Sequence, residues 1–180
     1  MNALLDAVLF AADKHSDQRR KNAAGTPYIN HPIEVADHLA RVGNVADQSI
    51  LIAALLHDTV EDTEATESEI RERFGCDIAA LVMECTDDKS LPKQERKRLQ
   101  VVNAPHKSDG AKQIKLADKT CNLRTMLDDP PQDWPISRQL EYVRWANEVI
   151  AGLKGINEAL DNAADAVVRD CLEHLKRQAS

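Results

Sequence analysis

Aromatic residues are scarce in this sequence, which has only two Phe, two Trp and two Tyr among 180 residues. A hydrophobic core must therefore be filled by Leu, Ile, Val and Ala, and a hydrophobic content of 43% is sufficient for one. The sequence has no internal repeat and no low-complexity tract, which argues against solenoid and propeller architectures. These features predict a single domain covering residues 1–180.

Cysteines are few, and no pair has the CxxC spacing of a zinc knuckle or a redox motif. They are Cys76, Cys85, Cys121 and Cys171. We expect reduced thiols in a cytoplasmic protein.

The N-terminal segment lacks a basic region, and Asp6 and Asp13 interrupt its apolar residues. It predicts an amphipathic helix and fits neither a signal peptide nor a membrane span, so no membrane partner is expected.

Positive charge is in deficit, because the formal net charge at pH 7 is −7. A general nucleic-acid binder needs a broad basic face, so nucleic acid is not an expected partner. Basic residues are nevertheless clustered at 19–21, at 89–98 and along the helical positions 112, 115 and 119. An acidic protein with a confined cationic pocket suits one small polyanion. For the run 93–98, a solvated surface is the more common explanation.

Apolar residues recur with a helical period almost throughout, and strand-type alternation is absent. Thr66–Glu69 has the pattern of a capping box, and Gly75 stands where a helix would end in a left-handed residue. We therefore predict an all-α fold. Besides a helix between 66 and 75, the predicted helices cover about 5–12, 33–42, 49–60, 77–86, 92–103, 110–127, 136–153 and 157–178.

The polar residues that follow the apolar run 53–56 are the most informative local feature. His57, Asp58, Glu61 and Asp62 would crowd one patch of a continuous helix, because residues three and four positions apart share a face. Three carboxylates so close together repel one another. A divalent cation would neutralise them, and imidazole with carboxylate ligands suits a borderline-hard metal.

Further ligands for such a cation must come from distant positions. His31 lies near a predicted helix start, and Asp118 lies on a helical pattern with Asn122 one turn later. Together, His31, His57, Asp58 and Asp118 would leave coordination positions open for water, as a catalytic metal site requires. The remaining histidines lack comparable neighbours, and we expect structural roles for His15, His38, His106 and His174.

The order of these ligands resembles the H…HD…D signature of HD-domain phosphohydrolases. Longer segments narrow the resemblance, namely Arg20-Lys21, GTPYINHP, AALLHDTVEDT, FG, TDDKSLPKQERK and KLADKTCNLR. They resemble the hydrolase domain of RelA/SpoT proteins, and most of all the stand-alone small alarmone hydrolases related to the metazoan SpoT homologue. The resemblance covers about residues 5–160. Bifunctional relatives carry a synthetase domain after this one, and we expect none here.

The resemblance implies an HD-type helical globule in which several helices converge on one Mn²⁺ ion. His31, His57, Asp58 and Asp118 would hold this ion and lower the pKa of a bound water. The same ligands would also accept Fe²⁺, Zn²⁺ or Co²⁺. The implied reaction is removal of the 3′-pyrophosphate from guanosine tetra- and pentaphosphate, (p)ppGpp, the alarmones of the stringent response, which gives GDP or GTP.

Glu61 and Asp62 match the acidic pair of the resembled family, whose implied role is to order and deprotonate the attacking water. The implied contacts with the nucleotide are Arg20, Lys21, Lys93, Lys119, Asn122 and Tyr142.

Two other functions share most of these features. Removal of the 2′-phosphate of NADPH, or another HD nucleotide hydrolysis, would use the same metal and water. A catalytically silent alarmone-binding module is less favoured, because the Glu61-Asp62 pair is intact. The sequence leaves the oligomeric state open, a homo-oligomer included.

Overall fold

The computed structural model describes residues 2–179, so the end positions of the predicted domain, 1 and 180, lie outside the described residues. The described residues form ten α-helices and one 3₁₀ turn, Ala104–His106. Residues 2–179 contain no β-strand, and the prediction of an all-α fold is confirmed. The helices are α1 Ala3–Lys14, α2 Asn30–Arg41, α3 Gln48–Leu56, α4 Thr59–Asp62, α5 Glu67–Phe74, α6 Cys76–Cys85, α7 Lys93–Asn103, α8 Asp109–Asp128, α9 Ile136–Leu153 and α10 Glu158–Gln178.

Helix α8 lies at the centre of the fold, where it packs against α2, α3, α6, α9 and α10. Ile114, Ala117 and Leu123 on this helix are fully buried. Among the Phe, Trp and Tyr residues, only Phe10 belongs to the buried core of residues 2–179. Aliphatic residues and Ala therefore fill the interior, as expected. None of the described helices is both long enough and apolar enough to cross a membrane.

The capping box predicted at Thr66 forms in part. Thr66 Oγ1 accepts a hydrogen bond from the Glu69 backbone N–H at 3.2 Å, as predicted. The Glu69 carboxylate pairs with Lys14 Nζ at 3.0 Å, which ties the start of α5 to the end of α1. Gly75 has φ +97° and ψ 167°, so its φ is positive as expected, but its ψ is extended rather than left-handed helical.

The continuous helix predicted over 49–60 was wrong, because α3 ends at Leu56 and the short α4 begins at Thr59. Two side chains satisfy backbone carbonyls at the end of α3. His57 Nδ1 lies 2.8 Å from Ala54 O, and Thr59 Oγ1 donates to Leu56 O at 2.7 Å. Such side-chain hydrogen bonds replace the partners that a helix end leaves missing. As a result, His57 and Asp58 lie in a turn between two helices.

Candidate active site

Four side chains from three parts of the chain meet beside the centre of α8. His31 lies in the first turn of α2, His57 and Asp58 lie in the α3–α4 turn, and Asp118 lies on α8. His31 Nε2 is 3.0 Å from Asp118 Oδ1 and 3.9 Å from Asp58 Oδ2. His57 Nε2 is 3.1 Å from Asp58 Oδ2 and 3.8 Å from Asp118 Oδ1. The structure therefore brings together all four predicted metal ligands.

These separations fit a single divalent cation. Donor atoms about 2.0–2.2 Å from one ion lie roughly 3 to 4 Å apart around it, as the four nitrogen–oxygen pairs do here. His57 Nε2 is buried and makes no well-oriented hydrogen bond within residues 2–179, so no fixed protein partner competes with a metal ion for this nitrogen. The four side chains form what we call the metal cluster, a candidate site for a divalent cation.

The two imidazoles respond differently to burial. Burial lowers the pKa of His31 despite its contact with Asp118. Burial also opposes protonation of His57, but Asp58 and Asp118 together raise the pKa of His57 to about 10. The pKa values of Asp58 and Asp118 lie below their usual range, because neighbouring cationic groups outweigh the burial of each carboxylate. His57 thus carries a positive charge beside the two carboxylates. A divalent cation held by the cluster would supply this charge instead and would displace the proton from Nε2.

Each carboxylate of the cluster is held by further side chains. The Tyr28 hydroxyl donates to Asp58 Oδ2 at 2.6 Å, and Asn122 Nδ2 donates to Asp118 Oδ1 at 2.6 Å. Lys119 Nζ and Lys115 Nζ lie 3.1 Å and 3.5 Å from Asp118 Oδ2, and both lysines are buried. Partners of this kind orient metal ligands.

Sequence reasoning assigned no role at this site to Tyr28 or Lys115. Tyr28 precedes His31 by three residues within GTPYINHP, and Lys115 precedes Asp118 by three residues on one helix. The spacing of Lys115 was an available signal, since residues three apart on a helix share a face. Tyr28 lies in the turn before α2, where this rule does not apply.

Glu61 and Asp62 lie on α4, directly after the metal cluster, but their carboxylates have different partners. Glu61 Oε2 accepts a hydrogen bond from the Asp87 backbone N–H at 2.9 Å, and burial raises the pKa of Glu61. Asp62 pairs with Lys89 and lines a neighbouring cleft.

This cleft has a volume of about 450 Å³ and contains four of the six predicted substrate contacts, Arg20, Lys21, Asn122 and Tyr142. Arg20 Nη2 donates to Asn122 Oδ1 at 3.2 Å and to Thr125 Oγ1 at 3.0 Å, which fixes the guanidinium at the cleft wall. Tyr142 stands 5.6 Å, centroid to centroid, from Trp134, which also lines the cleft. Asn122 links the cleft to the metal cluster, because it contacts both Arg20 and Asp118.

The other two predicted contacts lie outside the cleft lining. Lys119 is buried against Asp118, with its Nζ 5.0 Å from the centre of the Trp145 ring. Lys93 is exposed at the start of α7.

Comparisons with known proteins identify the family of this chain. The HD domain profile matches residues 7–147. The chain is 52% identical over 167 residues to the guanosine-3′,5′-bis(diphosphate) 3′-pyrophosphohydrolase MESH1 of Xenopus tropicalis, which covers 93% of each chain. It is 52% identical over 175 residues to the human protein of the same name, which covers 97% of this chain and 93% of the human one.

Two solved structures resemble the fold. One is described as a metazoan ortholog of SpoT that hydrolyzes ppGpp, with a TM-score of 0.91 and 45% identity over 94% of this chain and 95% of the other. The second is lmo0812 from Listeria monocytogenes, with a TM-score of 0.65 and 30% identity over 81% of this chain and 99% of the other.

Proposed function

The chain belongs to the HD domain family, and on this premise we propose that it is a metal-dependent 3′-pyrophosphohydrolase of guanosine 3′,5′-bis(diphosphate), ppGpp. The products are pyrophosphate and GDP, or GTP when the substrate is pppGpp. The observation that carries the proposal is the position of the metal cluster beside a cleft in which the guanidinium of Arg20 is held in place. Donor atoms of two histidines and two aspartates lie 3.0–3.9 Å apart, and Asn122 joins them to Arg20.

His31, His57, Asp58 and Asp118 would hold the cation, for which we propose Mn²⁺. His57 donates through Nδ1 to the carbonyl of Ala54, so Nε2 is the nitrogen available to a metal. When bound, a divalent cation at this site supplies Lewis acidity and an activated water for attack on phosphorus.

Glu61 and Asp62 would take the proton from the attacking water. Burial raises the pKa of Glu61, which makes its carboxylate a stronger base than an exposed one. The oxygen of water forms a bond to the phosphorus that carries the ribose O3′, and the P–O3′ bond breaks. The proton returned to O3′ completes the 3′-hydroxyl of the nucleotide, and pyrophosphate leaves.

The cleft would hold the rest of the nucleotide. Arg20 and Lys21 place positive charge beside a substrate with several phosphate charges, and Arg20 is already oriented by Asn122 and Thr125. Tyr142 and Trp134 offer an aromatic wall that suits a purine.

We assign Lys119 to neutralising Asp118 rather than to direct contact with the substrate, because it is buried and its Nζ lies 3.1 Å from that carboxylate. Lys93 stays a predicted contact for a phosphate that projects beyond the cleft.

The test is to incubate purified protein, loaded with a defined amount of Mn²⁺, separately with ppGpp, pppGpp and NADPH. We expect inorganic pyrophosphate from ppGpp, together with GDP identified by chromatography. Release of orthophosphate from NADPH, with no pyrophosphate from ppGpp, would overturn the proposal in favour of the NADPH 2′-phosphatase alternative.

A further inference from the structure

A second cavity, of about 230 Å³, lies between α7, α9 and the start of α8, and it shares no lining residue with the cleft. Its polar lining includes Arg96 and Gln100 from α7, Lys107 before α8, Lys115 on α8 and Asp87 from the loop after α6. A water molecule takes up about 30 Å³ of liquid, so the cavity has room for a ligand of several heavy atoms. None of the activities considered above uses this cavity.

Two polar atoms on the α7 side of the cavity are shielded from solvent and have no hydrogen-bond partner among residues 2–179. They are Arg96 Nε, a donor, and Gln100 Oε1, an acceptor, one helical turn apart. Arg96 also forms no ion pair with any carboxylate in the described part of the chain. Because an unmatched buried donor or acceptor is costly, this pair favours a ligand that both accepts and donates hydrogen bonds.

The charges around the cavity favour an anion. Arg96, Lys107 and Lys115 line it, against the carboxylates of Asp87 and Asp88. Both carboxylates already have donors, since Asp87 accepts from Gln100 Nε2 and Asp88 accepts from Ser90 Oγ. Lys107 donates to the carbonyl of Glu84 and Lys115 lies beside Asp118, so among residues 2–179 Arg96 is the lining cation without a partner. Orthophosphate and pyrophosphate at neutral pH carry acceptor oxygens for Arg96 Nε and a P–OH group that can donate to Gln100 Oε1.

The cavity is connected to the hydrolase site through two hydrogen bonds. Gln100 Nε2 donates to the Asp87 carboxylate, and the Asp87 backbone N–H donates to Glu61 Oε2. On the α8 side, Lys115 lines the cavity and its Nζ lies 3.5 Å from Asp118 Oδ2. A ligand that contacts Gln100 would therefore lie two hydrogen bonds from Glu61.

We propose that this cavity is an accessory binding site for a phosphate oxyanion, either orthophosphate or pyrophosphate. The regulatory part of this inference rests on the proposed function, because pyrophosphate is the product expected at the neighbouring site. The binding part does not rest on the proposed function, because anion binding can be measured by titration without any turnover. Product bound in this cavity would act on Glu61 through the hydrogen bonds of Gln100 and Asp87, and would make hydrolysis sensitive to accumulated pyrophosphate.

The test is calorimetric titration of the metal-free protein with orthophosphate and, separately, with pyrophosphate. We compare wild type with Arg96→Gln, Arg96→Lys, Arg20→Gln and Arg98→Gln. Arg98 serves as the matched control, because it lies on the same helix but is exposed and paired with Glu95. We expect Arg96→Gln to weaken binding by at least about tenfold, as loss of a charge-assisted hydrogen bond requires.

Arg20→Gln and Arg98→Gln should retain one anion site of wild-type affinity. Arg96→Lys keeps the charge without the Nε donor, and we expect weakened binding there as well. The more tightly bound of the two anions identifies the chemical source of the ligand. Circular dichroism verifies that each variant is folded.

Three results would overturn the inference. They are no measurable binding to wild type at millimolar anion, unchanged binding in both Arg96 variants, and loss of the site in Arg20→Gln, which would place the anion in the cleft. If ppGpp is not hydrolysed but Arg96-dependent binding persists, the proposed function fails and the anion site stands.

Discussion

Within residues 2–179, four histidines are almost completely buried, in two pairs with different surroundings. His31 and His57 are 1% and 0% exposed and face the carboxylates of Asp58 and Asp118. His15 and His38 are 2% and 3% exposed, but they face an amide and a guanidinium. His15 Nδ1 lies 2.8 Å from Gln18 Oε1, and His38 Nδ1 lies 3.1 Å from Arg124 Nη1.

Because burial is nearly equal in the two pairs, burial alone does not distinguish a candidate metal ligand from a structural histidine. The difference lies in the partners. Two carboxylates raise the pKa of His57 to about 10 against the effect of burial, so its ring favours a positive charge at Nε2. Burial together with Arg124 lowers the pKa of His38 to about 4, so that ring is neutral near pH 7. A buried imidazole becomes a candidate ligand when anionic groups surround its free nitrogen.

The largest expected effect is a loss of Mn²⁺ binding, which should distinguish the two histidine pairs. His57→Ala should weaken Mn²⁺ binding more than about 100-fold, because even the loss of a residue that only orients a ligand can cost 10- to 100-fold. Turnover should be lost with the metal. His38→Ala should keep stoichiometric Mn²⁺ and lose about 1–3 kcal/mol of stability, as is typical of buried truncations. Metal analysis after dialysis and thermal unfolding measure both. Full retention of Mn²⁺ by His57→Ala would remove it from the ligand set.

The next largest effect is a loss of turnover when the acidic pair Glu61 and Asp62 is replaced. Glu61→Gln combined with Asp62→Asn should keep the metal but lower kcat by at least ~10², the low end for general acid–base catalysis. The amide swap conserves size and removes the capacity to accept a proton. Bound metal and hydrolysis of ppGpp are measured on the same preparation. A kcat near that of wild type would require a base elsewhere.

Tyr28 provides a sharper test, because its ring lies beside one histidine of each pair, His15 and His31. Its ring lies 4.8 Å from that of His15, and its hydroxyl donates to Asp58. Tyr28→Phe keeps the ring contact and removes one hydrogen bond, so Mn²⁺ affinity should fall by roughly tenfold. Tyr142→Phe is the matched control, since Tyr142 lines the cleft, and its Mn²⁺ affinity should not change. Equal Mn²⁺ affinities in wild type and Tyr28→Phe would show that the hydroxyl does not position Asp58.

The smallest effect is a pH dependence of stability that comes from His38. The unfolded imidazole binds a proton near pH 6.5, whereas the folded one does so near pH 4. The stabilisation is complete above the unfolded pKa and is lost as pH falls towards the folded pKa. Between pH 7 and 5, metal-free wild type should lose about 1–2 kcal/mol more than His38→Gln. Urea unfolding at both pH values measures this. Parallel losses would assign the pH dependence to other groups.

The helices and the four candidate ligands could be predicted from the sequence for a physical reason. Apolar residues repeat with the helical period, and a patch of like charges has no value for folding unless a cation neutralises it. Asp118 required more than local pattern, because nothing near it indicates that α8 is the central helix. The resemblance supplied that link, and the packing of α8 against five other helices explains it.

Other features could not be predicted, because they depend on contacts between distant segments. The break before His57 arises from side-chain hydrogen bonds to carbonyls, whereas the apolar period alone favours an unbroken helix. The separate orientations of Glu61 and Asp62 depend on Asp87 and Lys89, which come more than twenty residues later. Lys119 appeared in the sequence as part of a basic stripe, but the position of Trp145 makes it a buried partner of Asp118.

Asn122 has a thermodynamic consequence. Its side chain donates to Asp118 in the metal cluster and accepts from Arg20 in the cleft, so two oppositely charged ligands would share one amide. If a nucleotide on Arg20 changes the affinity for the cation by some factor, the cation must change the affinity for the nucleotide by the same factor. Metal affinity measured on the empty protein is therefore only one side of a coupled equilibrium, whose other side is set by the concentration of the alarmone.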